Sequence, residues 1–169
     1  MLTKSRMLGL LAWFAAACLA CGGGGGDNDP TGPPAANVVG HYAITHTGTL
    51  TGLPPIECPG DLNITNQTGN SFSGTITITA TAECEGIAGS GNVSGTVTSG
   101  GALDFTITIS NLEDILEAAG CDIVGGDPTF TGTAGTAGIF ASRTIALRCD
   151  IEGGTLDTNF EYTISGPKT

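Results

Sequence analysis

Ser71-Phe72-Ser73-Gly74-Thr75-Ile76-Thr77-Ile78-Thr79-Ala80 is the stretch that decides the fold. Successive side chains of an extended chain point to opposite faces. Phe72, Ile76, Ile78 and Ala80 therefore share one side, and Ser71, Ser73, Thr75, Thr77 and Thr79 the other. One face is apolar and the other is hydroxylated, the pattern of an antiparallel strand with one wet side. The same alternation returns in Leu103, Phe105, Ile107 and Ile109, and again in Leu156, Phe160, Tyr162 and Ile164.

Turn residues between such runs divide the chain into eight predicted strands, at about 39–47, 61–67, 71–81, 91–98, 102–110, 128–134, 140–149 and 155–165. Thr68-Gly69-Asn70 and Ser99-Gly100-Gly101 are short enough to be hairpin turns. Asn111 to Gly120 has helical spacing, with Leu112, Ile115 and Leu116 on one face and Gly120 as a stop. Eight short strands in succession bury their apolar faces by closing into an up-and-down barrel or by splitting into two sheets of a β-sandwich. We expect an all-β, eight-stranded antiparallel barrel with one short helix, with the sandwich as the alternative. Tyr42, Ile44, Phe72, Ile76, Phe105, Ile107, Phe160 and Tyr162 are the residues expected to face its interior, where they would either line a ligand-binding cavity or fill the barrel completely.

The N-terminus is of another kind. Lys4 and Arg6 precede an apolar run from Met7 to Ala20, which is shorter than the ~20 residues that span a bilayer. Cys18-Leu19-Ala20-Cys21 follows, and then Gly22 to Gly26. This arrangement resembles the lipobox of bacterial lipoproteins, with Cys18 in the place usually held by Leu, Val or Ile. The resemblance implies cleavage after Ala20 and acylation of Cys21; acylation of Cys18 would instead leave Leu19 and Ala20 in the tether. Three acyl chains, at about 0.8 kcal/mol per buried methylene, would hold the protein on a membrane permanently. Gly22 after the cysteine implies sorting to the outer membrane. The domains expected are a signal peptide at 1–20, a lipidated Gly- and Pro-rich tether at 21–37, and a barrel at 38–169.

Once Lys4 and Arg6 are removed with the signal, Arg143, Arg148 and Lys168 stand against all 16 acidic residues. That balance excludes nucleic acid as a partner and would repel an anionic surface, so the anchor must be the lipid.

Cys58, Cys84, Cys121 and Cys149 remain in the domain. If strands alternate in direction, all four lie at one end of the barrel. Cys58 and Cys84 then bracket one hairpin, and Cys121 and Cys149 another. Neighbouring strands are ~4.8 Å apart and a disulfide wants its Cα atoms near ~5.5 Å, so we expect Cys58–Cys84 and Cys121–Cys149. No short Cys-x-x-Cys spacing points to zinc, and no metal or cofactor is expected. Glu57, Glu83, Glu85, Asp122, Asp150 and Glu152 neighbour these cysteines and make that rim acidic. The tether enters at the other end, so the rim should face away from the membrane.

Catalysis needs a poised group, and the two histidines, His41 and His46, lie five apart and on opposite strand faces. No Gly-x-Ser-x-Gly elbow, His-Glu-x-x-His pair or phosphate loop occurs, so no catalytic residue is assigned. At the start of the first strand, Gly40-His41-Tyr42 resembles the Gly-x-Trp opening of lipocalins, with Tyr42 in place of the tryptophan and no arginine on the last strand. That resemblance implies a non-enzymatic barrel carrying a small apolar ligand. The alternative is an envelope interaction protein that docks a protein or glycan through the acidic rim.

Overall fold

A computed structural model describes residues 32–109, 120–126, 128–151 and 154–169 of the 169-residue chain. The signal segment, Cys21, most of the tether and all of the expected helix except Gly120 lie outside those residues. Nine strands follow in order: β1 (Gly40–Leu50), β2 (Ile56–Thr68), β3 (Ser71–Ile78), β4 (Gly89–Val97), β5 (Ala102–Ile109), β6 (Cys121–Gly126), β7 (Thr129–Gly135), β8 (Gly138–Ile151) and β9 (Gly154–Gly166). Among the described residues the helical structure is a single 3-10 turn, Glu85–Ile87.

Every pairing is antiparallel. The ladder runs from β8 through β7, β5, β4, β3, β2 and β1 to β9, and β9 pairs back onto β8. Eight strands thus close into an up-and-down barrel, and closure rules out the two-sheet alternative. Closing the ladder leaves no bare edge on these eight strands, which is the physical advantage of a barrel over a sandwich. Gly69 and Gly101 make the tight returns from β2 to β3 and from β4 to β5, in the left-handed region at φ 59° and 82°.

The ninth strand, β6, is a correction to the eight-strand reading. β8 is long enough to serve two partners along one edge. Its first residues pair with β7 (Thr131 opposite Ser142), and its last pair with β6 (Cys121 opposite Cys149). β9 follows β8 for its whole length, from Ile139 opposite Gly166 to Ile151 opposite Gly154. Beyond the barrel wall, β6, β8 and β9 form a three-stranded extension at the end that carries the cysteines.

The inward faces fill the interior. Tyr42, Leu62, Ile64, Ile76, Val93, Val97, Leu103, Phe105 and Phe130 belong to one continuous buried cluster. An eight-stranded barrel is only just wide enough for its own side chains, and here they occupy it. The tether end is stoppered by the chain's own approach. Ala35 and Ala36, within the stretch expected to be tether, pack against the core, and Val38 is buried. The Ala36 amide donates to the Thr98 carbonyl at 3.0 Å, the Val38 amide to Gln67 Oε1 at 2.9 Å and the Tyr42 hydroxyl to the Val38 carbonyl at 2.8 Å. Gln67 can reach this stopper because β2 slips register against β3 between Ile64 and Asn66, which re-aims the residues that follow.

Candidate functional site

A chain of rings crosses the barrel. Phe72 meets Phe105 at 6.1 Å between centroids, Phe105 stacks on Phe130 at 5.2 Å, and Phe130 meets the edge of Tyr162 at 5.2 Å. Tyr162 in turn contacts Phe160 at 6.1 Å and His46 at 5.8 Å. Each ring sits on the inward face of its strand, so period-two patterning assembles the chain. Of the eight residues expected to face inward, Tyr42, Ile44, Phe72, Ile76, Phe105 and Tyr162 are buried in the main cluster. Ile107 and Phe160 are half-buried and pack against its edge. These two lie toward the cysteine end, which we call the mouth.

His46 shares its face with Tyr42 and Ile44 and is 2% exposed. His41, on the opposite face, is exposed and pairs with the equally exposed Asp61 at 2.9 Å, so the two histidines form no common site. The His46 ring lies 3.0 Å from the Thr77 carbonyl through Nε2 and 2.6 Å from the Tyr162 hydroxyl through Nδ1. A carbonyl only accepts, so Nε2 carries the proton and donates to it. Nδ1 then accepts from the Tyr162 O–H. Gly60 makes room for this arrangement, since a Cβ there would lie 2.6 Å from the imidazole. Burial pushes the His46 pKa below its ordinary value, against the smaller opposing pull of the Thr77 carbonyl. Burial also raises the Tyr162 phenol far above its ordinary value.

The unfolded chain binds a proton on His46 near its ordinary pKa of about 6.5, and the folded domain resists it to lower pH. The stability from neutral His46 is complete above that value and declines as pH falls below it. Urea midpoints should drop between about pH 6.5 and pH 5 in the wild type, and more steeply than in H46Q. Equal slopes would mean that His46 is not the group responsible.

Arg143 is the inward residue that the sequence reading missed. Ile139, Ala141, Arg143, Ile145 and Leu147 alternate along β8, which puts Arg143 on the apolar face of its strand, and it stands opposite Tyr162 in the ladder. That single cation on an inward face was the available signal. Its Cζ lies 4.7 Å from the centroid of Phe130 and 5.8 Å from that of Tyr162. A guanidinium over aromatic faces gains about 0.5–2 kcal/mol, more as it is desolvated. Nη1 donates to the Pro128 carbonyl at 3.3 Å, whereas Nε is buried without a partner. Burial lowers the Arg143 pKa, partly offset by the Tyr162 hydroxyl. Among the described residues no carboxylate makes an ion pair with it.

Both disulfides have the expected partners. Cys58 in β2 joins Cys84 in the β3–β4 connection with Cα atoms 5.9 Å apart. Cys121 joins Cys149 at 4.0 Å. The second bridge was expected to clip the hairpin now seen as β7–β8, but it crosses a directly opposed pair of β6 and β8. The bond was right and its ladder was not. All four cysteines lie at the mouth end, and Glu57, Glu83, Glu85, Asp122 and Asp150 are exposed around them. Among the described residues no three His, Cys, Asp or Glu side chains cluster as a metal site. Two intact disulfides mark a protein of an oxidising, extracytoplasmic compartment.

No family model matches this chain, and no curated protein matches it.

Proposed function

We propose that the chain is an extracytoplasmic lipoprotein anchored through acylated Cys21, and that its barrel is a non-enzymatic module binding a small apolar molecule with an anionic head at the mouth. The observation that carries this reading is Arg143, a guanidinium on an otherwise apolar inward face with its Nε buried and unpartnered. A buried charge is normally paired, so an uncompensated one favours an anionic ligand. Half-buried Ile107 and Phe160 beside the ring chain supply apolar surface for the rest of the ligand.

The test is affinity for a long-chain carboxylate against the alcohol of the same chain length. Wild type should prefer the carboxylate, and R143M, which keeps the volume, should lose about 10- to 100-fold of that affinity and little for the alcohol. Equal affinity of wild type for the two probes, or no binding of either, sinks the reading. Native mass spectrometry of protein from its own host would identify the natural ligand.

A second reading has one observation in its favour. The interior on the tether side is filled by its own side chains, which suits a scaffold whose acidic rim docks an envelope protein or glycan. Crosslinking through the rim in intact cells, with no co-purifying small molecule, is the result that would favour it.

A further inference from the structure

We propose that the tether-side pole of the barrel rests on a lipid bilayer, with Phe140 and the depression beside it as the contact surface; this builds on the reading of Cys21 as the acylated residue. The described chain enters this pole through residues 32–39, and the eleven residue steps from Cys21 to Gly32 can extend no more than about 40 Å. An acyl chain on Cys21 therefore holds this pole near the bilayer.

The pole is built from residues 37–40, 68–71, 98–101, 135–138 and 166–169, which contain no Asp or Glu and one cation, Lys168. Lys168 extends its ammonium over the Tyr42 ring at 5.6 Å. The exposed carboxylates Glu57, Glu83, Glu85, Asp122 and Asp150 are at the mouth, and the acids nearest the tether pole are Asp104 on the wall of β5 and Asp61, which is paired with His41. Strands of seven or more residues at ~3.3 Å each separate the two poles by roughly 20 Å even when tilted, about two Debye lengths. An anionic leaflet therefore repels the mouth and tolerates the tether pole.

Exposed apolar side chains occur at both ends. Leu53, Ile56, Ile123, Val124 and Leu156 are exposed at the mouth, where they stand among the carboxylates that an anionic leaflet repels, whereas Phe140, 53% exposed at the start of β8, and Val39, 37% exposed just before β1, stand at the pole whose turns carry no acid. An open depression of about 420 Å³ beside Phe140 is lined by Ala134, Ala137, Gly138 and Ile139. A bilayer interface accepts such a surface without a matching protein partner.

The chain's one tryptophan is Trp13, within the signal segment, so F140W in the processed lipoprotein carries the sole indole. The lipidated protein is reconstituted in vesicles of phosphatidylcholine and phosphatidylglycerol with brominated acyl chains. F140W should lose most of its emission relative to unbrominated vesicles, and L53W, in the β1–β2 connection at the mouth, should lose none. Mass spectrometry of the mature N-terminus and flotation of the protein with vesicles report on the anchor separately. Unquenched F140W on a lipidated, floating protein overturns the contact and leaves the anchor standing, as does equal quenching of F140W and L53W. Cys21 without acyl chains overturns the anchor, and the contact with it.

Discussion

Removing both disulfides should leave the barrel unfolded, or nearly so, at 37 °C. The bridges close segments of 26 and 28 residues, and in the chain-entropy model each contributes about 3–4 kcal/mol by restricting the unfolded chain. Together they approach the ~5–15 kcal/mol net stability of an ordinary domain. The pairs C58A/C84A and C121A/C149A separate the two contributions. Alanine is preferred to serine because Cys58 and Cys84 are buried beside Ile78, where a hydroxyl would lack a partner. Each pair should lower the melting temperature by roughly 10–15 °C.

The two losses should differ in character. Cys121–Cys149 ties β6 to β8, and β8 keeps β7 and β9 without it, so amide exchange should quicken in β6 while the barrel strands stay protected. Cys58–Cys84 pins the β3–β4 connection to β2, inside the barrel wall, and its loss should act on the whole domain. Melting within a few degrees of wild type for both variants would show that the core alone suffices.

F130A should be the most costly single substitution in the core. Phe130 is 0% exposed, stacks on Phe105, meets Tyr162 edge-on and carries the Arg143 guanidinium on its face. Truncating a buried phenylalanine costs about 3–5 kcal/mol through lost transfer energy and the cavity left behind. Here the same change removes the nearer of the two aromatic faces against which Arg143 lies. F130L restores most of the volume and should cost less than ~1.5 kcal/mol if packing is all that matters. A distinctly larger cost for F130L would assign the difference to the ring's contacts with Arg143 and Tyr162. Denaturant midpoints at constant slope are the measurement, since a changed slope would mean a changed unfolded or native compactness.

The barrel was legible in the sequence because β3, β5 and β9 set apolar inward residues in alternation with polar, mostly hydroxylated, outward ones, and turn residues separate the strands. β6 was not legible. Cys121-Asp122-Ile123-Val124-Gly125-Gly126 sets two apolar residues side by side and ends in two glycines, so no period emerges. In the structure Ile123 and Val124 are 45% and 50% exposed, which means that neither face of β6 enters the main core. That strand exists because the second half of β8 offers an edge, a tertiary cause that local pattern does not carry. β2 begins at Ile56, earlier than expected, because Pro59 and Gly60 look like breakers. The ladder nonetheless absorbs both: the Pro59 carbonyl still accepts from the Thr79 amide, and Gly60 is the gap that His46 fills.

The site was half legible. Tyr162 and His46 could be placed on inward faces from spacing alone, and their hydrogen bond could not, since it joins residues 116 apart. Arg143 was hidden by expectation, because an arginine was sought on the last strand and stands on the one before it. The four cysteines were the most informative residues, since direction reversal at each strand gathers them at one end before any coordinates are considered.

The seam where β1 meets β9 pairs Thr45 with Ser165 and Leu50 with Phe160, near opposite ends of the polypeptide. The first strand to leave a translocation channel must therefore wait for the last before its open edge is satisfied. Closure of the barrel comes last and is slow, as for any topology dominated by distant contacts. A chain cut short before residue 160 would leave two raw edges, on β1 and β8, inviting capture by chaperones or by its own kind.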